Sequence, residues 1–187
     1  MPEGPGVRPP RPERRRVESV VIVNTGDGKG KSTAAFGTML RAVAQGWPVA
    51  VVQFLKSGKW NAGEETVAKR LGVDWYAAGD GFSWDSTDLD ETKAKAVAAW
   101  AFAKELLDAG RHQLLILDEL TYPMVWGWLD TDEVAGAIAG RSASLNVVVT
   151  GRDAPEALTR MADTVTEMRK VKHAFETGVY AIKGLDF

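Results

Sequence analysis

The chain has 187 residues, room for one domain with a sizeable core at ~100–200 residues per domain. Lys and Arg number 23 against 25 Asp and Glu, and a net charge of -2 offers no broad field for nucleic acid. With no Cys, and only His112 and His173, disulfides, thiolate chemistry and Cys-built metal centres are excluded. Residues 1–16 are rich in Pro and Arg (Arg8, Arg11, Arg14, Arg15, Arg16) and read as a flexible, solvated tail without a secretory apolar segment. The remaining residues, 17–187, read as one domain. Short apolar runs at Ser19–Val23, Val49–Phe54, Val73–Tyr76, Leu114–Leu117 and Asn146–Val149 predict strands buried on both faces. Helix-length segments separate or follow them: Lys31–Gln45, Glu64–Leu71, Leu89–Ala109, Thr131–Gly140 and Pro155–Ala162. In the longest, Val97, Trp100, Ala103 and Leu107 recur at helical spacing, and Gly110 is the expected stop. No apolar run reaches the ~20 residues of a membrane helix, so a cytoplasmic protein without membrane or nucleic-acid partners is expected.

Alternation of strand and helix implies right-handed crossovers and a mainly parallel α/β sheet. In such sheets ligands bind beyond the carboxyl ends of the strands. The chemically marked residues all fall there. After the first strand comes Asn24-Thr25-Gly26-Asp27-Gly28-Lys29-Gly30-Lys31-Ser32-Thr33, then an apolar-periodic helix. Glycines admit positive φ and leave no Cβ in the way, so backbone N–H groups can converge on phosphate oxygens. The helix N-terminus adds partial positive charge, Lys31 a full one, and the Ser32 hydroxyl suits a Mg²⁺ shell. Thr25 stands where G-x-x-x-x-G-K-[ST] has its first Gly, with Gly26 and Gly28 just after. Asp27 is anomalous, because a carboxylate repels polyphosphate unless a cation intervenes.

Asp118 and Glu119 close the strand LLIL, a place where P-loop proteins hold Mg²⁺. The competing reading is that one of them caps a helix beginning near Leu120. Which would touch the ion is not set by spacing. Thr150-Gly151-Arg152 ends another strand at the same edge; Arg152 suits a phosphate chain or simply the surface.

In TGDGKGKSTAAFGT (Thr25–Thr38), VVQFLK (Val51–Lys56), GFSW (Gly81–Trp84), LDELTY (Leu117–Tyr122), VVVTGR (Val147–Arg152) and VKHAF (Val171–Phe175), the chain resembles the P-loop corrinoid adenosyltransferases. It departs from that family's usual pattern at Asp27, where Asn is usual, and at Pro123. The resemblance implies an α/β fold of the P-loop NTPase-like (RecA-like) type, a mainly parallel sheet flanked by helices. It implies ATP and a reduced corrinoid as substrates, with cobalt(I) attacking the ribose C5′ and tripolyphosphate leaving. ATP would lie along Thr25, Gly26, Asp27, Gly28, Lys29, Gly30, Lys31, Ser32 and Thr33, reversed so that C5′ faces the corrinoid. Mg²⁺ would be carried by Ser32 and Glu119, with Asp118 the alternative ligand, and Arg152 would assist at the phosphate chain. Phe82 and Trp84 would sit under the corrin and displace its axial ligand, easing reduction of cobalt(II). A flavoprotein or reduced flavin as electron donor and a homodimer also follow from the resemblance.

Other marked residues read as structural. Trp100, Trp126 and Trp128 are expected in packing, and His173 in a local hydrogen bond, with a partner subunit or the nucleotide base as its alternatives. Lys56 and the Gly58–Gly63 loop lie at the active edge and suit phosphate or corrin side chains. Two rival functions use the same surfaces: an ATPase or kinase moving the γ-phosphoryl group, and a non-catalytic carrier of corrinoid or nucleotide.

Overall fold

The computed structural model describes residues 13–57, 63–79 and 89–186. Along the chain run β1 (Val21–Thr25), α1 (Lys31–Ala44), β2 (Val49–Ser57), α2 (Gly63–Arg70), β3 (Asp74–Gly79) and α3 (Leu89–Ala109). Then follow β4 (Leu114–Asp118), α4 (Thr121–Val125), α5 (Thr131–Ala139), β5 (Asn146–Thr150), α6 (Glu156–Met161), β6 (Thr164–Glu167) and a 3-10 turn at Ala174–Thr177. The described strands form one sheet in the order β3-β2-β4-β5-β1-β6, every neighbouring pair parallel. The expected α/β architecture is therefore present.

Side chains of the central strands alternate between two apolar layers, as the period of a strand demands. Leu115, Leu117, Val147 and Val149 join Trp100, Leu107, Val134, Ile138 and Leu158 from α3, α5 and α6 on one face. Leu114, Ile116 and Val148 join Phe36 and Met39 of α1 and Ala68 of α2 on the other. Every residue of β4 is buried, which is why its sequence is continuously apolar rather than alternating. The connection leaving β1 thus runs on one face, and those leaving β4 and β5 on the other. A crevice opens where connections diverge in this way, at the carboxyl ends of β1, β5 and β4.

Four differences from expectation have local causes. β1 starts at Val21: the Val20 carbonyl still accepts the Val147 N–H (3.0 Å), but the Val20 N–H turns to Asn146 Oδ1 (3.0 Å) and Ser19 Oγ accepts from Arg141 (2.9 Å), so side-chain bonds replace the ladder there. β3 runs on to Gly79, pairing with β2 beyond the apolar core of the strand. Val97 lies outside the buried stripe of α3 and is 43% exposed; Ala96, Ala99, Trp100, Ala103, Leu106 and Leu107 make that stripe instead. β6 has a sequence, Thr-Val-Thr-Glu, too polar to announce a strand, and all four residues are exposed at the sheet edge beside β1.

Elsewhere the punctuation matches its chemistry. Gly110, at φ 62, follows the last residue of α3, and Asp130 caps α5 by accepting the Glu133 N–H at 2.8 Å. The Trp100 indole donates to Glu133 (2.8 Å), and Lys104 pairs with the same carboxylate (2.8 Å), joining α3 to α5. Trp126 and Trp128 are half-buried against the same core, 4.7 Å apart between ring centroids. Among the described residues no helix is long and apolar enough to cross a membrane.

Candidate active site

The glycine loop leaves β1 at Thr25 and turns into α1 through Gly30, whose φ of 113 is open to glycine and costly to other residues. No side chain caps α1, so its leading amides face the loop. A Cβ on Gly28 would come within 2.5 Å of the Met168 carbonyl oxygen, and the Gly28 N–H donates to that same oxygen. The chain leaving β6 therefore crosses directly over the loop. Near its end, Asp186 pairs with Lys29 at 2.6 Å.

Thr25 has a task of its own. Its hydroxyl accepts the Ala154 N–H at 3.1 Å, tying the loop after β5 to the glycine loop. That contact accounts for a hydroxyl residue where a strict P-loop has glycine. Thr33, Asp27 and Lys29 are exposed, whereas Ser32 and Lys31 are half-buried.

Lys31 Nζ donates to the Gly28 carbonyl at 2.7 Å. Burial, and then the Arg152 guanidinium, lower its pKa from the ordinary 10.5, while Asp27, Glu119 and Asp118 act in the opposite direction. The residues singled out from three separate loops thus share one electrostatic neighbourhood. Tyr122 belongs to it as well: burial and then the Glu119 carboxylate push its phenol above the ordinary value. Nothing local in the sequence sets Tyr122 apart beyond its place in LDELTY.

At the end of β4 the two carboxylates part ways. Asp118 is fully buried; its Oδ1 accepts from the Thr150 hydroxyl (2.7 Å) and its Oδ2 from Gln53 Nε2 (2.9 Å). Glu119 follows at φ 64, a left-handed conformation that aims it away from the strand line. The residue at the α4 N-cap is Leu120, whose side chain makes no capping hydrogen bond. Pro123 sits within the first turn of α4, where a missing N–H costs little.

Arg152 is exposed on the loop after β5 and its carbonyl accepts from Thr121 Oγ1 at 2.6 Å. Gly151, at φ 142, is required there, since a Cβ would overlap the Thr121 hydroxyl. His173 Nδ1 accepts the Phe175 N–H (3.2 Å) at the start of the 3-10 turn, the local role expected for it. His112 is buried with Nε2 2.9 Å from Asp74, away from the crevice edge. Phe82 and Trp84 lie outside the described residues, as does nearly all of the Gly58–Gly63 loop.

A glycine loop feeding a helix N-terminus, flanked by an acidic strand end two strands away in a parallel sheet, defines the P-loop class of nucleotide-binding proteins. Residues 17–187 match the family described as ATP:corrinoid adenosyltransferase BtuR/CobO/CobP, and the chain belongs to that family. It is 44% identical over 177 residues to a corrinoid adenosyltransferase of Pseudomonas aeruginosa, covering 94% of this chain and 87% of that one. Against the corrinoid adenosyltransferase CobA of Salmonella typhimurium it is 41% identical over 168 residues, 90% of this chain and 85% of the relative. The corrinoid adenosyltransferase of Escherichia coli K12 is 42% identical over the same length and coverage.

Proposed function

We propose that this chain transfers the 5′-deoxyadenosyl group of ATP to the cobalt(I) of a corrinoid, in cobalamin biosynthesis or salvage, and releases inorganic tripolyphosphate. One observation supports the reading: in a chain of this family, Lys31, at the start of α1 where no side chain caps the helix, lies within electrostatic reach of Arg152, Glu119 and Asp118 from the neighbouring strand ends.

In the step itself, the cobalt(I) electron pair forms the Co–C5′ bond as the C5′–O5′ bond breaks. The bonding pair leaves on O5′, so the tripolyphosphate gains one negative charge. Catalysis here is stabilisation of that charge rather than proton transfer. The α1 amides, Lys31 and Arg152 supply it, and the loop from Thr25 to Thr33 holds the triphosphate with C5′ turned outward. No protein nucleophile is needed, which accords with a chain lacking Cys.

The donor set fits Mg²⁺. Among the described residues no group of three or more His, Cys, Asp or Glu forms a metal cage. Mg²⁺ favours one or two protein oxygens completed by phosphate and water. Ser32 and Glu119 would hold it, and Asp118, whose two oxygens already accept protein donors, acts from behind. When bound, the ion neutralises charge on the polyphosphate.

Phe82 and Trp84 are assigned to the lower face of the corrin, where apolar surroundings ease reduction of cobalt(II). Likeness to the family supports that role, a reduced flavin or flavoprotein as electron donor, a pairing of two chains and a cytoplasmic setting. The test is product analysis without oxygen, with MgATP and chemically prepared cobalt(I) corrinoid. Adenosylated corrinoid and tripolyphosphate are expected. ADP and phosphate would establish a phosphoryl transferase instead, and binding without a Co–C bond would establish a carrier.

A further inference from the structure

Thr150, at the carboxyl end of β5, is 1% exposed, and its single hydroxyl serves two partners. It donates to Asp118 Oδ1 at 2.7 Å and accepts the backbone N–H of Glu119 at 3.0 Å. Asp118 is held in turn by Gln53 Nε2 at 2.9 Å, from the residue opposite it on β2. A hydroxyl has one proton, and a buried carboxylate claims it, so only lone pairs remain for the Glu119 amide. The direction of the relay Glu119 N–H to Thr150 to Asp118 is therefore fixed. Its far end is Glu119 at φ 64, a backbone conformation that a residue with a Cβ keeps only when its surroundings hold it there. The carboxylate of the residue so held lies within electrostatic reach of Lys31 and Tyr122.

We propose that Thr150 is a positioning residue of the metal–nucleotide site: oriented by Asp118, its hydroxyl clamps the Glu119 peptide in the left-handed turn and so aims the Glu119 carboxylate at the phosphate crevice. Gln53 completes the device by fixing the second Asp118 oxygen. Nothing in the run Asn146–Arg152 distinguishes Thr150 from an ordinary strand-end residue, because the relay joins three strands that are distant in sequence. The inference rests on the assignment of Glu119 as a ligand of the divalent ion.

Full-length wild type, T150V and T150S separate the possibilities, with Mn²⁺ as the probe, read by electron paramagnetic resonance with ATP present. ATP affinity without divalent ion, hydrogen exchange at the Glu119 amide and thermal unfolding are measured alongside. T150V should weaken Mn²⁺ binding by about tenfold or more, the usual cost of losing a partner behind a metal ligand. It should also speed exchange at Glu119 while leaving metal-free ATP affinity nearly unchanged. T150S, which keeps the hydroxyl, should restore both. T150A takes the place of T150V if that variant does not fold. A T150V protein that melts earlier yet binds Mn²⁺ like wild type would overturn the proposal and leave Thr150 a purely structural residue. Wild type that binds no Mn²⁺ in the presence of ATP would overturn the ligand assignment itself, and the proposal with it.

Discussion

Lys31 bends back onto its own loop, its ammonium donating to the Gly28 carbonyl two residues before the helix-starting Gly30. In the proposed role, the ammonium is held ready at the loop by a neutral oxygen rather than by a carboxylate. Lys31→Ala removes the charge and one charge-assisted hydrogen bond, worth about 2 kcal/mol. ATP affinity should fall by roughly 30-fold in calorimetric titration, with the thermal unfolding of the free protein little changed.

The same residue gives a pH signature. Burial and Arg152 depress its pKa below 10.5, so the charged form begins to disappear earlier than for a free lysine. ATP affinity should therefore be full below the lowered pKa and fall as pH rises through it, and binding in that range should take up a proton. Stability of the free protein runs the opposite way. Between the lowered pKa and 10.5 the unfolded chain binds more protons, so the contribution of Lys31 to stability rises with pH. Calorimetry in buffers of different ionisation enthalpy measures the proton uptake, which Lys31→Ala should abolish.

Two glycines separate close approach from simple flexibility. At Gly28 a Cβ would press on the Met168 carbonyl, and Gly28→Ala should cost about 1–3 kcal/mol in denaturant unfolding and weaken ATP binding. At Gly37, inside α1, a Cβ meets nothing within 4 Å, so Gly37→Ala should stabilise by about 0.5–1 kcal/mol with ATP binding intact. Equal effects at the two positions would remove Met168 from the account of the loop.

Phe82 and Trp84 are tested by the oxidation state supplied. Replacing either with Ala should impair the reaction started from cobalt(II) far more than one started from chemically prepared cobalt(I). Parallel losses in the two assays would assign the rings to corrinoid binding alone.

What could be read in the sequence was whatever rests on local pattern. Leu114–Leu117 is continuously apolar because β4 is buried on both faces, and the loop from Gly26 to Ser32 carries its own glycines, charge and helix start. Chemistry beyond phosphate binding came from likeness to the family, because GFSW by itself reads as packing. The rest depended on tertiary neighbours. β6 is stabilised by its edge pairing with β1 and not by its own polar residues, and only that pairing delivers Met168 to the loop. Asp118 and Glu119 are adjacent and chemically alike; their different settings involve Gln53 and Thr150, far away in the chain, which hold the Asp118 carboxylate while Thr150 also accepts the Glu119 amide. Thr25, an apparent departure from the loop pattern, is explained by the Ala154 amide it accepts.

The point of bond cleavage in ATP decides whether cobalt attacks C5′ or a phosphorus is transferred. ATP labelled with ¹⁸O at the 5′ bridging position, reacted with cobalt(I) corrinoid and analysed by mass spectrometry, reports which bond to that oxygen breaks. Attack at C5′ predicts that the released tripolyphosphate keeps the label and the adenosylated corrinoid carries none. Label retained in an adenosine-containing product, with the terminal phosphate transferred or hydrolysed, would contradict it.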